Sequence, residues 1–379
     1  MVLVAGSYER FIWGFSLKTL KPTSSQNPSG ADDGGDGDGD GGGCILKPLF
    51  SYPSHTSSIK CVAVSGPVAV SGGADDAVKI YDLSSCSEIG SLTDQGGAVT
   101  AVAFYTPPAI SFPRNLVTGS DGGVVSIYDA DPFVHLKSVR RVHRRGAGVG
   151  DLTVHPSGRL ALTVGRGDSS LAMVNLVRGR RSFVCRLDRE ASVVRYSAGG
   201  GDLFFMAAEE RISVHNSEDA REVAELVAEK KVLCVAPALN NVLITGGEGR
   251  DVTAWDITSG KVAYSIKEAH SARVKGLVVL GGGNSGEASG GPHLLASAAT
   301  DGVIRVWDAR VVSGEKPPPH LTEAKTKSRL TCLAGSSIKF EKWCFCSMFW
   351  VIHSDTLSLS LSTGDLQLEP EPISLSSWQ

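Results

Sequence analysis

Two sets of side chains in this chain hold the residue types of nucleophilic catalysis: His55, Ser71 and Asp75, and again His270, Ser297 and Asp301. A base and a carboxylate placed around a serine can activate its hydroxyl for attack. The copy from His55, however, repeats the set of the copy from His270, each with an aromatic attached, Tyr81 in one and Trp307 in the other. A structural element recurs in this way and a unique active site does not. The reading is therefore a side-chain hydrogen-bond relay, each bond contributing about 1 kcal/mol net. Asp36, Asp38 and Asp40 with Gly41 imitate the start of a calcium loop, but Lys47 stands at the twelfth position, where a bidentate Glu is needed. Gly281, Gly283 and Gly286 spell a formal G-x-G-x-x-G, yet Pro292 and a second strand follow in place of the helix that would receive a pyrophosphate. No nucleophile, base and orienting group combine outside these recurring positions, so the chain reads as a non-enzyme with no catalytic, cofactor or metal site and no small-molecule substrate.

The elements that position the relay are copies of one unit. The stretch from His293 to Asp308 recurs at Val68 to Asp82, Asn115 to Asp129 and Asn241 to Asp256, each copy closing on an aromatic followed by Asp. The interval of about 40 to 50 residues is that of the WD repeat, four strands per blade of a β-propeller. The alternation in Val303 to Trp307, entered through the turn at Thr300, Asp301 and Gly302, reads as the second half of a hairpin. A single four-stranded blade cannot bury both faces, and radial stacking covers each with its neighbour. Fairly complete copies fall at 51–92, 93–139, 140–187, 188–226, 227–266 and 267–310. In some the relay decays: Asp121 sits one place early, Asn175 follows an insertion, and His215 with Asn216 replaces the aromatic and Asp, so these blades are expected to lean on packing.

A seventh blade requires joining the ends. Val2 to Phe15 supplies middle strands, with Glu9 at the turn and Phe15 in the aromatic slot. Its missing first strand is matched by Arg329 to Ala334, which resembles the opening strands at Ile59 to Val64 and Val99 to Ala103. The expected fold is all-β: a seven-bladed propeller over 1–337 closed by pairing of the N- and C-terminal segments, which removes exposed sheet edges. An acidic Gly/Asp-rich flexible insertion is expected at about 21–44, and 338–379 read as an irregular, atypical tail, disordered or foreign to the fold. Truncation after Ser337 is then expected to leave stability nearly intact.

Composition agrees with such a ring. The 379 residues are 42% hydrophobic and 20% charged, enough for a large core in one domain. A net charge of -3 argues against a dominant nucleic-acid grip. The eight Cys are scattered, some in strand positions such as Cys61 and Cys234, and read as buried thiols in a reducing compartment. Neither a signal peptide nor an apolar run of bilayer length is visible, so no membrane association is expected. Against this background stand the basic clusters Arg140, Arg141, Arg144 and Arg145, with His143 among them, and Arg178, Arg180 and Arg181, joined by Arg166. They fall at blade edges, where loops meet partners, and they are the candidate RNA or partner patch; the competing reading is a solvated face.

The order of the copies carries a further likeness. Leu3 to Leu17, Leu152 to Asp168 with the following Asn175 to Phe183, Ala296 to Arg310 and Ser328 to Gly335 together resemble the PAK-interacting-protein family of WD-repeat proteins, over nearly all of 1–337. The resemblance implies a non-catalytic nuclear and nucleolar factor for maturation of the large (60S) ribosomal subunit, working among proteins of the pre-60S particle with contact to pre-rRNA. It also implies binding and restraint of p21-activated kinase. The family's Lys/Arg-rich tail has no counterpart after about Ser337, where an aromatic and thiol-rich run from Ile338 to Ile352 follows. A reading of another class comes from Trp307, Asp308, Ala309 and Arg310: this W-D-x-R ending resembles a motif for docking on the adaptor of cullin-type ubiquitin ligases, with Asp308 and Arg310 in contact, and would make the chain a substrate receptor. The plainer reading is that these two residues finish a strand.

Overall fold

Alternation becomes burial along the strands. In Val303–Asp308, Ile304 and Val306 are buried while Val303 and Arg305 are half exposed, and the turn before it needs the left-handed backbone of Gly302, φ 84°. The computed structural model describes residues 1–19, 44–281, 294–309 and 319–337, with only the backbone of Thr19 and Arg145. These residues form seven four-stranded antiparallel sheets, the blades of a β-propeller. Six are continuous meanders whose first strands are Ile59–Ser65, Val99–Tyr105, Gly148–Val154, Val193–Tyr196, Val232–Pro237 and Val274–Leu280. The closing blade takes its first strand from the far end of the described chain, in the order Leu330–Ser336, Val2–Ser7, Phe11–Thr19, Cys44–Pro53. Val4 pairs with Ala334 and Phe15 with Leu3, so the two ends join as the copies require.

The core is a ring of seams. Each of seven apolar clusters is shared by two adjacent blades: Val2, Val4 and Ile12 of the closing blade pack with Ile59, Ala69 and Tyr81 of the first. On its other side the closing blade packs Leu3, Leu330 and Leu333 against Leu280, Leu294 and Ile304 of the sixth. A fully buried aliphatic side chain contributes about 1.5–3 kcal/mol, so the seams outweigh any polar contact in the ring.

The outermost strands fall where the copies suggested no boundary. Ser51 to Pro53, assigned to the first copy, belong to the closing blade, where Trp13 pairs with Ser51 and Phe11 with Pro53. Cys44, placed at the end of the insertion, opens that same strand. The sixth blade ends with Thr322–Lys325, beyond the copy's limit at 310. Such strands pair along one edge only and lack a regular apolar stripe, as the half-exposed run Thr322 to Ala324 illustrates. The insertion at 21–43, the Gly-rich 282–291, Arg310 and the tail 338–379 lie outside the described residues.

Every first strand but the fourth blade's carries a bulge near its start, with Lys60, Thr100, Gly150, Leu233, Lys275 or Thr331 as the extra residue. A bulge unpairs local backbone groups and turns the strand. The first strands of all seven blades then line a central channel of about 530 Å³.

Candidate functional site

The relay is built where a linker enters a blade. His55 Nδ1 lies 2.9 Å from Asp75 Oδ1 and Nε2 lies 2.7 Å from Ser71 Oγ, which is 2.7 Å from the Tyr81 hydroxyl. A carboxylate only accepts, so Nδ1 donates to Asp75; Ser71 then donates to Nε2, and Tyr81 to Ser71. Burial acts to raise the Asp75 carboxyl, but the hydrogen bonds from the His55 ring, the Thr56 N–H and the Thr56 hydroxyl together bring it below its ordinary value. Ser71 is fully buried and shared by two partners, so no substrate can reach it, and the set clamps the blade.

In the sixth blade His270 Nε2 lies 2.7 Å from Ser297 Oγ, to which Trp307 Nε1 donates at 2.8 Å. Asp301 is not brought onto His270. Its carboxylate accepts from the Ser271 hydroxyl and from Val303 N–H, while His270 Nδ1 is buried with no hydrogen-bond partner among the described residues. Burial pushes the His270 imidazole down to about 4, against the opposing pull of Asp301.

Two blades assigned to packing hold relays of other composition. In the second, Thr118 donates to Gln95 Oε1 at 2.7 Å and Gln95 Nε2 donates to the Tyr128 hydroxyl at 2.7 Å, an amide doing the work of an imidazole. In the third, His143 is no member of a basic surface: it is 1% exposed, with Nδ1 2.7 Å from Ser170 Oγ and Nε2 3.0 Å from Thr163 Oγ1. Ser170 donates to Asp168 at 2.7 Å, so it accepts from His143. Burial lowers His143 to about 4, with Arg181 adding to the effect and Asp168 opposing it. The Asp or Asn after the aromatic slot has its own task of holding the next turn. Ser84 N–H donates to Asp82 at 2.9 Å, Thr258 N–H to Asp256 at 2.9 Å, and Glu218 N–H to Asn216 at 2.8 Å.

With the relays buried, the faces of the ring are what a partner meets. Connections alternate ends in an up-and-down sheet, so the turn from second to third strand and the linker into the next blade share one face. Arg140, which ends His135–Arg140, Arg141 and Arg144 of the following linker, and Arg166, which ends Leu160–Arg166, are exposed there. Arg181 is tied to them, donating to the carbonyls of Arg141 at 3.1 Å and Val142 at 3.0 Å. Arg141, Arg144 and Arg181 line an open hollow of about 690 Å³ with His143, Gly146 and Val184. Arg178 and Arg180 flank the turn from Ser170–Asn175 into Arg180–Arg186, on the opposite face. The basic clusters are therefore two sites. Asp308 ends its strand, paired with Leu294, and the position of Arg310 is not described.

Comparison with known proteins fits this architecture. The family model "WD domain, G-beta repeat" matches residues 46–82 and 263–308. Human p21-activated protein kinase-interacting protein 1 is 31% identical over 333 residues, 88% of this chain and 76% of its own length. A chicken protein, p21-activated protein kinase-interacting protein 1-like, is 28% identical over 88% of this chain and 80% of its own. Fungal likenesses include Protein MAK11 of Saccharomyces cerevisiae, 27% identical over 61% of this chain and 55% of its own, and Shk1 kinase-binding protein 15 of Schizosaccharomyces pombe, 26% identical over 69% and 70%. With the propeller, its split closing blade and this coverage together, the chain belongs to the p21-activated protein kinase-interacting protein family.

Proposed function

We propose that the chain is a rigid, non-catalytic scaffold in nucleolar assembly of the large ribosomal subunit, joining proteins of the pre-60S particle and touching pre-rRNA. The observation that carries this reading is the separation of roles in the ring. The hydrogen bonds of the relay residues His55, Ser71, His143, Ser170, His270 and Ser297 are spent inside the blades, while exposed arginines collect on the linker face at Arg140, Arg141, Arg144 and Arg166. Phosphate groups are what such a face neutralises. Membership of the family supports the reading, since the resemblance carries ribosome maturation with it. A second reading, binding and restraint of a p21-activated kinase, draws its binding part from the human relative's name, with a kinase-binding name in fission yeast beside it, and its restraint part from the family resemblance.

The test is isolation of the tagged full chain from a native-like cell at moderate salt, with proteins and RNA identified together and the chain located by imaging. Large-subunit assembly factors with precursor RNA, and a nucleolar signal, are expected. A kinase without ribosomal material would move the function to signalling, and a ligase adaptor alone would overturn both readings.

A further inference from the structure

Apart from one ion pair, the charges that line the central channel are lysines among the described residues. Its ionisable Asp, Glu, Lys and Arg side chains are Lys60, Asp151, Arg195 and Lys275. Asp151 is already used: it pairs with the Arg195 guanidinium and accepts from Val194 N–H at 2.9 Å. Lys60 and Lys275 are the bulge residues of the first and sixth blades, which flank the closing blade, and neither forms an ion pair among the described residues. The nearby carboxylate Glu248 is engaged by Arg273 at 3.5 Å, and Glu9 of the closing blade accepts from Arg329 N–H at 2.9 Å. Burial holds the Lys275 ammonium below its ordinary range, so it gains when an anion arrives. Each bulge lies near the start of its strand, which puts both lysines at the mouth on the linker face. Deeper in, the wall is apolar, with Ala63, Leu152, Val235 and Val279.

We infer that this mouth takes an acidic segment of a protein partner, its carboxylates between Lys60 and Lys275 and an adjoining apolar side chain in the channel. The inference rests on the scaffold reading only in making the ligand part of a partner protein. Charge and shape argue for peptide. Two ammonium groups over an apolar slot match a carboxylate next to an aliphatic side chain, whereas a continuous phosphate backbone needs an open surface of the kind the arginines offer.

The experiment is fluorescence anisotropy of the full chain with a labelled ten-residue peptide of Asp and Glu containing two leucines. A single-stranded RNA and inorganic phosphate serve as separate competitors. Saturable binding is expected, weakened about tenfold or more by Lys60→Ala with Lys275→Ala and kept by Lys60→Arg with Lys275→Arg. Thermal melting should not fall in either variant, because neither lysine forms an ion pair among the described residues and burial already disfavours the Lys275 charge. Absence of saturable binding, or binding unaffected by the alanine pair, overturns the inference. Displacement of the peptide by RNA from the intact chain, with direct binding of labelled RNA lost in the alanine pair, assigns the mouth to nucleic acid and overturns it as well. The assay contains no ribosomal material, so its failure is distinguishable from failure of the assembly role.

Discussion

The hydroxyl of Thr331 donates to the carbonyl of Ile59 at 2.7 Å, across the seam between the closing blade and the first. The same hydroxyl is 3.1 Å from the Gly6 carbonyl of its own blade. The bond has counterparts around the ring: Thr100 reaches Val149 at 2.7 Å, Cys61 reaches Val99 at 3.7 Å, and Cys234 reaches Val274 at 3.6 Å. Each acceptor is the residue just before the next blade's bulge. The bulge that bends a first strand thus frees a carbonyl, and a small polar side chain of the preceding blade satisfies it.

Thr331→Val keeps the shape and removes the donor, leaving the Ile59 carbonyl buried and unpaired. A loss of about 1–3 kcal/mol is expected in urea unfolding, with an unchanged m-value. Thr331→Ser should recover most of it. If Val is as stable as Thr, the seam is held by apolar contact alone.

Deleting residues 328–337 removes the strand Leu330–Ser336, exposing the edge of Val2–Ser7 and taking Leu330 and Leu333 from the seam with the sixth blade. The expected result is a melting temperature lower by well over the about 2–4 °C that 1 kcal/mol would shift in a domain of this size, with a gain in aggregation. A scan with unchanged melting would show that the ring does not depend on its closing strand.

His143 and His270 set a pH dependence. Both are held at about 4 by burial, against an ordinary 6.5, so between these values the unfolded chain binds more protons than the folded one. Stability then rises with pH across that window. It is complete above about 6.5 and lost as pH falls toward 4, by on the order of 3 kcal/mol per histidine. Denaturant unfolding from pH 7 to 4.5 should show the slope. Gln95 already fills this role in the second blade, so His143→Gln with His270→Gln should fold and flatten the profile. A profile as steep in the glutamine pair would place the proton uptake elsewhere.

The Gln95 relay also shows what the sequence displayed and what it hid. Hairpin alternation, the turn at Gly302 and the closing strand were legible because they are local patterns with a fixed period. The positions of His55, Ser71, Asp75 and Tyr81, and of His270, Ser297 and Trp307, recur as copies for the same reason. Gln95 was missed because a residue-by-residue match to histidine rejects an amide that offers the same donor and acceptor. One signal could have found it: His55, Gln95 and His270 each stand four residues before the first strand residue, Ile59, Val99 and Val274. His143 was hidden by its arginine neighbours and by a longer linker with a turn of 3-10 helix at Arg144–Gly146. The outer strands Cys44–Pro53 and Thr322–Lys325 were hidden by half exposure, which weakens alternation. Asp301 was misassigned because spacing fixes a position and not the direction of a carboxylate.

The division of the arginines between two faces separates two outcomes for RNA contact. If pre-rRNA lies on the linker face, Arg141→Glu with Arg144→Glu should weaken binding of a precursor RNA fragment. The same pair should reduce the slope of log K against log salt by about 1 to 2, at about 0.7 per lost phosphate contact on a single strand. Arg178→Glu with Arg180→Glu, on the opposite turn, changes the net charge equally and should alter neither beyond the small effect of long-range repulsion. Anisotropy titrations from 50 to 300 mM salt, roughly the range over which such slopes are resolved, distinguish the two pairs. Equal effects from both would show that net charge rather than a defined face governs the contact, and no effect from either would remove RNA from the linker face.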